Sequence, residues 1–174
     1  MTKQTPWIER SFSFAFDTGY FPVVFSRLEG AIFRLYSLLS NAEEEVCEQR
    51  TQGWSVKEHL GHLLDMEDLW WQRLNDYLEG RAILAPGDLL NRKTEEAGHN
   101  QKSLEKLLEN FTLQRQRLLE AVYPFTSAEL QLTATHPRLN IPMRLIDSLH
   151  FVGEHDDHHI SAISNLLRRP AEDV

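Results

Sequence analysis

Apolar residues recur at steps of three and four along four long segments of the chain, which is the period of an amphipathic helix. No segment shows sustained alternation of apolar and polar residues, so strands are not expected. The repeat predicts helices at about 22–42, 55–80, 100–122 and 142–169. Four such helices in 174 residues predict an all-α fold with one domain, an antiparallel four-helix bundle.

Capping and stop residues mark the ends of these helices. Ser55 followed by Glu58 is a capping box, in which each side chain accepts a hydrogen bond from the other residue's backbone N–H. Pro142 is expected to open the last helix, and Pro170 to forbid its continuation beyond Arg169.

The segments between the helices are long enough to permit a crossover connection within the bundle. The aromatic residues 1–20 are predicted to lie as an arm across the domain. The segment 81–100 is expected to be a loop, and 126–140 a second connection with one helical turn at residues 127–130.

The charge balance excludes some classes of partner. Eighteen Lys and Arg face 26 Asp and Glu, and the net charge of -8 disfavours the phosphate backbone of nucleic acid. No segment resembles a signal peptide or a membrane span, so no membrane partner is expected. Cys47 is the only cysteine, which excludes an internal disulfide and favours a reducing compartment. We therefore expect a cytoplasmic protein.

Histidines are concentrated near the C-terminus, where residues 150–159 contain four of the eight in the chain. On a helix, His155 and His159 share one face, with Cβ atoms about 5–6 Å apart. Both imidazoles can therefore reach a single ion. Zinc centres usually take at least three protein ligands, so a third ligand must come from elsewhere in the chain.

His62 is the best-placed third histidine, because it lies on the apolar stripe of the second predicted helix. Metal sites in helix bundles use side chains from facing helices, which suits one histidine opposite an i, i+4 pair. The spacing leaves His59 and His158 open as substitutes. It also leaves open that carboxylates, carbonyls or water satisfy these imidazoles without any metal.

Two segments together resemble the DinB-like superfamily, which includes the YfiT-type proteins described as metal-dependent hydrolases. They are residues 54–67, WSVKEHLGHLLDME, and residues 154–160, EHDDHHI. The resemblance covers about residues 20–169. It implies a four-helix bundle with a long crossover, and a divalent metal bound by three histidines.

Carried over position by position, this resemblance implies that His62, His155 and His159 are the metal ligands. None of the three is substituted in this chain. His158 then becomes a neighbour, because one step along a helix turns its side chain away by about 100°. The expected cofactor is a divalent ion, with zinc ahead of nickel, iron and manganese.

Three neutral histidines leave a coordination position open, as in catalytic zinc sites. An open metal can activate bound water, which gives a hydrolase, or bind a thiol as thiolate, which gives a thiol transferase. The resemblance favours transfer of a low-molecular-weight thiol, such as bacillithiol, mycothiol or glutathione, to a small electrophile. A metal-binding, stress-associated bundle without turnover is the alternative from another class.

No residue is assigned as catalytic from the sequence. The acidic residues nearest the histidines, which could orient a ligand, move a proton or simply be solvated, are Glu58, Asp65, Asp156 and Asp157. The aromatic residues that could line a pocket or fill the core are Trp54, Trp70 and Trp71. The expected partner is a small-molecule substrate, and a homodimer is the expected assembly if the chain associates.

Overall fold

The computed structural model describes residues 4–51 and 53–168. The elements in chain order are α1 (Phe21–Leu39), α2 (Glu44–Glu48), α3 (Val56–Leu78), α4 (Arg92–Glu96), α5 (Leu104–Val122), α6 (Ser127–Leu130), β1 (Thr133–His136), β2 (Ile141–Arg144) and α7 (Leu145–Leu167). Single turns of 3-10 helix occur at Trp7–Glu9, Thr18–Tyr20 and His99–Gln101. Residues 1–3 of the predicted arm and 169–170 at the predicted end of the last helix lie outside the described residues.

The bundle consists of α1, α3, α5 and α7. Both α1 and α3 pack against α5 and against α7, so α1 and α3 occupy opposite corners. The Tyr77 hydroxyl, near the end of α3, lies 2.6 Å from the Ser148 hydroxyl near the start of α7. His62, near the start of α3, meets His155 further along α7. These contacts show that α3 and α7 run antiparallel.

The neighbouring helices α3 and α5 run in the same direction. The Ser55 hydroxyl, at the start of α3, donates to Asn100 just before α5, and Glu67 in the middle of α3 accepts from Arg115 in the middle of α5. A parallel pair needs a connection that returns along the bundle, and the segment between Leu78 and Leu104 is that connection. The predicted four-helix bundle with a long crossover is therefore confirmed.

The apolar stripes of the four helices meet in one core. On α1 the buried positions follow the predicted three- and four-residue steps and are Val24, Leu28, Ala31, Ile32, Leu35 and Leu39. Full burial of a Val, Leu or Ile side chain contributes about 1.5–3 kcal/mol to the stability of the fold. The predicted capping box is present at the start of α3, where the Ser55 N–H donates to Glu58 at 2.9 Å. Among the described residues, no helix combines the length and apolar character needed to cross a bilayer.

The expectation of no strands was wrong for the connection before α7. β1 and β2 form a two-stranded antiparallel hairpin in which Thr135 is paired with Pro142. Strands of four residues are too short to show a clear alternation. On its other side β1 bonds the crossover, since the Thr135 N–H donates to the Ala82 carbonyl at 2.9 Å. β2 is therefore an edge strand, where proline is tolerated.

The last helix begins at Leu145, so the expectation that Pro142 opens it was also wrong. Arg144 is the N-cap residue, and its backbone N–H donates to the Asp147 carboxylate at 2.8 Å. The helix therefore begins three residues beyond the proline, at the N-terminus that Asp147 caps. The predicted turn at Ser127–Leu130 is present as α6.

The N-terminal arm packs along α7 over the part of it that the structure describes. The Trp7 ring lies 5.0 Å from the Phe151 ring and 5.1 Å from the His155 ring. Arg10 donates to the Glu154 carboxylate at 2.7 Å. The arm therefore places a tryptophan beside one of the predicted metal ligands.

Candidate metal centre

The three predicted ligands converge between α3 and α7. One candidate ligand nitrogen from each of His62, His155 and His159 lies within 4.8 Å of the other two, and all three residues are buried. The Nε2 atoms of His62 and His155 are 3.2 Å apart. Tetrahedral zinc with zinc–nitrogen bonds of about 2.0–2.1 Å holds its ligand nitrogens about 3.3–3.4 Å apart. The spacing of this pair therefore suits two ligands of one ion.

Hydrogen bonds from the crossover set the tautomer of His62. Its Nδ1 lies 3.0 Å from the Thr94 hydroxyl, and that hydroxyl donates its proton to the Asp65 carboxylate at 3.0 Å. Thr94 can therefore only accept from the imidazole, so the proton of His62 is on Nδ1. This leaves the Nε2 lone pair directed at His155 and free to bind a cation.

Asp65 is in turn held by His99, a buried histidine of the crossover. The Nε2 of His99 lies 2.8 Å from the same Asp65 oxygen that accepts from Thr94. The His99 ring packs against α3 where Gly61 has no side chain, since a Cβ there would lie 2.2 Å from the ring. This glycine, one residue before His62, therefore makes room for the groups that orient the predicted ligand.

His159 is held by His59 of α3. Its Nδ1 lies 2.9 Å from the Nδ1 of His59, so one ring donates to the other. When His159 is the donor, its Nε2 carries no proton. The Trp54 ring stacks on His159 at 6.0 Å and lies 4.8 Å from the His62 ring.

His158 points toward the arm, and the structure does not bring it into the three-histidine group. Its Nδ1 lies 2.9 Å from the Gln4 side chain, and the Trp7 ring lies 5.8 Å from its own. His158 is thus a neighbour of the group, as the resemblance implies.

Burial keeps the imidazoles of the group neutral. Desolvation lowers the pKa of His62 to about 4 and lowers the pKa values of His155 and His159 well below 6.5. Neutral imidazole is the form that binds metal. The Nδ1 of His155 is buried and has no hydrogen-bond partner among the described residues. The donor set and the protonation states therefore fit a divalent ion.

A buried ion-pair cluster holds α3, α5 and α7 together beside the histidines. Arg115 donates to Glu67 at 2.6 Å and to Asp156 at 3.0 Å, and the side chains of all three are at most 3% exposed. Burial raises the pKa of Glu67 to about 7, and it also raises the pKa of Asp156. Asp156 lies between His155 and His159 in the sequence, so this cluster restrains the part of α7 that presents these two histidines.

The remaining acidic candidates are also engaged with other groups. Glu58 accepts from Arg50 at 2.9 Å as well as from the Ser55 backbone. Asp157 accepts from Arg27 at 2.9 Å and from Arg34. Of the four acids, only Asp65 acts on a predicted ligand, and it does so through Thr94.

A cavity of about 440 Å³ opens in front of the histidines. Its walls are largely apolar, with Trp54 and Trp70 among them, whereas Trp71 lies outside it and is 43% exposed. The Trp70 ring lies 5.5 Å from the His155 ring. Of these three tryptophans, Trp54 and Trp70 therefore line this cavity, and the imidazoles face space that a small molecule can enter.

Sequence reasoning missed the contribution of the crossover, the hairpin and the arm to this site. The residues concerned are Trp7, Thr94, His99, His136 and Arg138. All of them reach the site through long-range packing that no local pattern records. Gly61 was the one available signal, since a glycine inside a helix costs stability unless something packs closely against it.

The fold and the site together define a class of protein, the four-helix bundles with a candidate metal centre formed by histidines of two antiparallel helices. The family model described as the DinB superfamily matches residues 27–163. This chain belongs to the DinB superfamily, as the resemblance in its two histidine segments implied.

Among solved structures, the chain is similar to YfiT from Bacillus subtilis, a "probable metal-dependent hydrolase with an unusual four-helix bundle topology". The TM-score is 0.79 at 19% sequence identity, over 92% of this chain and 93% of that one. At this identity the similarity establishes the fold alone. No protein of curated function matches the chain in sequence.

Proposed function

We propose that this protein is a metal-dependent transferase that joins a small thiol to a small electrophile, with His62, His155 and His159 as the metal ligands. The observation that carries the proposal is three buried, neutral imidazoles at the wall of a largely apolar cavity. A divalent ion with an open position supplies a nucleophile at neutral pH by lowering the pKa of a bound thiol or water.

The lone pairs of the histidines favour a bound metal. The Nε2 of His62 carries no proton, because Thr94 accepts the proton on Nδ1. A buried lone pair needs a proton donor or a cation in front of it. A cation would use the lone pairs of all three ligands at once, and the burial of the rings disfavours the charged imidazolium that would otherwise compete.

The case for a thiol over water rests on the acidic residues. Metal-dependent hydrolysis usually employs a carboxylate or imidazole that takes a proton from water. Among the described residues, Glu67 and Asp156 are bound to Arg115, and Asp65 is bound to Thr94 and His99. A thiol has an ordinary pKa of about 8.5, so it ionises near neutral pH without a strong base.

In the proposed reaction the thiol sulfur forms a bond to the electrophilic carbon of the second substrate. The leaving group departs with the electron pair of its bond to that carbon, and the thiol proton passes to solvent. The apolar walls formed by Met66, Leu69 and Trp70 exclude water, so that the sulfur rather than water attacks.

Hydrolysis is the second candidate, favoured by the structural similarity to YfiT, a probable metal-dependent hydrolase. His59, which lines the cavity, is the imidazole available for proton transfer in that case. A bundle without turnover is less favoured, because a purely structural site has no need of a cavity of about 440 Å³ in front of its ligands.

The proposal also covers the identity of the metal, the cellular compartment and the oligomeric state. Zinc is the proposed ion, because imidazole nitrogen and the 3.2 Å separation of Nε2 atoms suit its tetrahedral geometry. The proposed compartment is the cytoplasm, where small thiols are kept reduced. A homodimer stays a prediction, and light scattering of the purified chain tests it.

Two experiments test the function. In the first, elemental analysis of purified wild type, His62→Ala and His158→Ala is expected to show about one divalent ion per chain except in His62→Ala. His158→Ala is the matched control, because it removes an imidazole one residue from a ligand. Equal metal content in His62→Ala and wild type would show that the ligand assignment is wrong.

In the second experiment, zinc-loaded protein is given a panel of small thiols with a chlorinated aromatic electrophile, and separately an activated ester without thiol. We expect thiol adduct formation that depends on both zinc and His62. Zinc-dependent ester hydrolysis without thiol transfer would favour the hydrolase. Absence of both reactions from a fully zinc-loaded protein would favour the bundle without turnover.

A further inference from the structure

The cavity has a second polar end, beyond the group of His62, His155 and His159. Arg73 of α3 forms this end together with His136 and Arg138 of the hairpin. Arg73 is only 7% exposed, and its Nε donates to the Ala85 carbonyl at 2.9 Å. The Arg138 guanidinium lies over the Trp7 ring, with its Cζ 5.6 Å from the ring centroid. These contacts hold both guanidinium groups in the wall of the cavity.

The hydrogen bonds at this end leave donors without acceptors. The Leu139 N–H donates to the Nδ1 of His136 at 3.2 Å, so Nδ1 carries no proton. Burial, with the charges of Arg73 and Arg138, lowers the pKa of His136 to about 4 and keeps the ring neutral. The single proton of the ring is therefore on Nε2.

The protonated Nε2 of His136 faces another donor. The Nη1 of Arg73 lies 3.2 Å away, and two N–H groups cannot bond to each other. The Nη2 of Arg138 is buried and also has no partner among the described residues. An acceptor between these groups would satisfy several buried donors at once.

The positive charge at this end is not neutralised by the chain as far as the structure describes it. Neither Arg73 nor Arg138 forms an ion pair with a described carboxylate, and burial lowers the pKa of both. Asp76 accepts from the Ala85 N–H at 2.7 Å, and Asp88 accepts from the backbone of Leu90 at 3.0 Å and of Arg92. The nearby acids are thus occupied, in a protein whose net charge is -8.

We infer that Arg73, His136 and Arg138 form a binding site for a carboxylate group of the substrate. The inference rests on the proposed function for the identity of the molecule, but the donors are present whatever reaction occurs. Carboxylate is the acceptor that matches converging guanidinium N–H groups, and such charge-assisted bonds are about twice as strong as neutral ones.

The distance to the histidines limits the size of the substrate. The Trp70 ring lies 5.5 Å from the Arg73 Cζ and 5.5 Å from the His155 ring, so these two groups are at most about 11 Å apart. A carboxylate held by the arginines therefore belongs to a small molecule, with its reacting atom a few bonds away. The aromatic wall between the two ends suits an apolar spacer.

The test uses a thiol with and without the negative charge, mercaptopropionate and its amide mercaptopropionamide. Cobalt-loaded protein is titrated with each, and thiolate binding is followed by the charge-transfer absorbance of cobalt. We expect wild type to bind the acid about tenfold to a hundredfold more tightly than the amide. Arg138→Gln should reduce this preference to less than threefold while the amide still binds.

Arg81→Gln is the matched control, because Arg81 is 65% exposed and pairs with Glu79 at 3.0 Å, outside the cavity. It should keep the full preference for the acid. Circular dichroism melting of each variant shows that it is folded. Retention of the wild-type preference in folded Arg138→Gln would overturn the inference.

A second titration separates the carboxylate site from the thiol chemistry. Succinate and neutral succinamide are added to the same cobalt-loaded protein, in the presence of mercaptoethanol, and tryptophan fluorescence is recorded. Binding of succinate that Arg138→Gln abolishes supports the site even if neither thiol perturbs the cobalt spectrum, in which case the proposed thiol transfer fails alone.

The two titrations also assign the carboxylate. A preference for the acid over the amide places it on the thiol substrate. Arginine-dependent succinate binding with equal affinity for the two thiols places it on the electrophile. Equal affinities for the two thiols together with no succinate binding would overturn the inference, whatever the thiols do at the metal.

Discussion

Replacing Gly61 by alanine tests the close contact between α3 and the His99 ring of the crossover. A Cβ at this position would lie 2.2 Å from the Cγ of His99 and 2.4 Å from its Nδ1 and Cδ2. Ordinary contact begins at about 3.4 Å, so the ring or the helix must move by about 1 Å. The ring cannot swing freely, because it is buried and its Nε2 is bound to Asp65 at 2.8 Å.

Three contributions set the change in the free energy of unfolding of Gly61→Ala. Overpacking of a close-packed interior costs about 1–3 kcal/mol. Displacing His99 also weakens its hydrogen bond to Asp65, for which about 1–3 kcal/mol is the usual range when a buried group loses its partner. Alanine favours the helix over glycine by about 1 kcal/mol. The free energy of unfolding should therefore fall by about 1–5 kcal/mol.

The substitution should also reach the metal centre. Asp65 and Thr94 orient His62, and loss of such outer contacts lowers metal affinity by about 10–100-fold. Urea denaturation of metal-free protein measures the stability, and competition with a chromophoric zinc chelator measures the affinity. Both should decrease in Gly61→Ala.

Gly30→Ala is the matched control, because Gly30 also lies inside a long helix but a Cβ there meets nothing within 4 Å. It should raise the stability by about 0.5–1 kcal/mol and leave zinc affinity unchanged. Equal stabilisation by the two substitutions would refute the close contact between His99 and α3.

The orientation of His62, the protonation of the buried histidines and the buried ion-pair cluster can each be tested by substitution or titration. Thr94→Val should lower zinc affinity about 10–100-fold in the chelator assay, whereas Thr94→Ser should not, because serine keeps the hydroxyl that accepts from His62. In metal-free protein, kept so by a chelator, the free energy of unfolding measured in urea should be highest above pH 6.5. It should fall by about 1.4 kcal/mol per pH unit for each buried histidine as the pH drops toward 4, because the pKa of His62 in the folded protein is about 4 and the unfolded chain takes up the protons first. A free energy of unfolding that does not change with pH would contradict this. Arg115→Met should cost about 3–5 kcal/mol in the same assay, because it leaves two buried carboxylates without a cation, and the exposed control Arg117→Met should stay within about 0.5 kcal/mol of wild type.

The features that could be predicted from the sequence are those that depend on near neighbours along the chain. The period of apolar residues located all four bundle helices, and the Ser55 capping box located the start of α3 to within a residue. The i, i+4 spacing placed His155 and His159 on one face. Each of these features is set by the geometry of a single helix, in which residues three and four apart are neighbours.

The surroundings of these histidines depend on tertiary packing. The parallel arrangement of α3 and α5 sends the crossover back along the bundle, and this return brings Thr94 and His99 against α3. The hairpin, invisible as a periodic pattern, supplies His136 and Arg138 to the cavity. Such contacts join residues far apart in the chain, and they form because the buried faces of whole elements must be covered, which no local pattern of residues encodes.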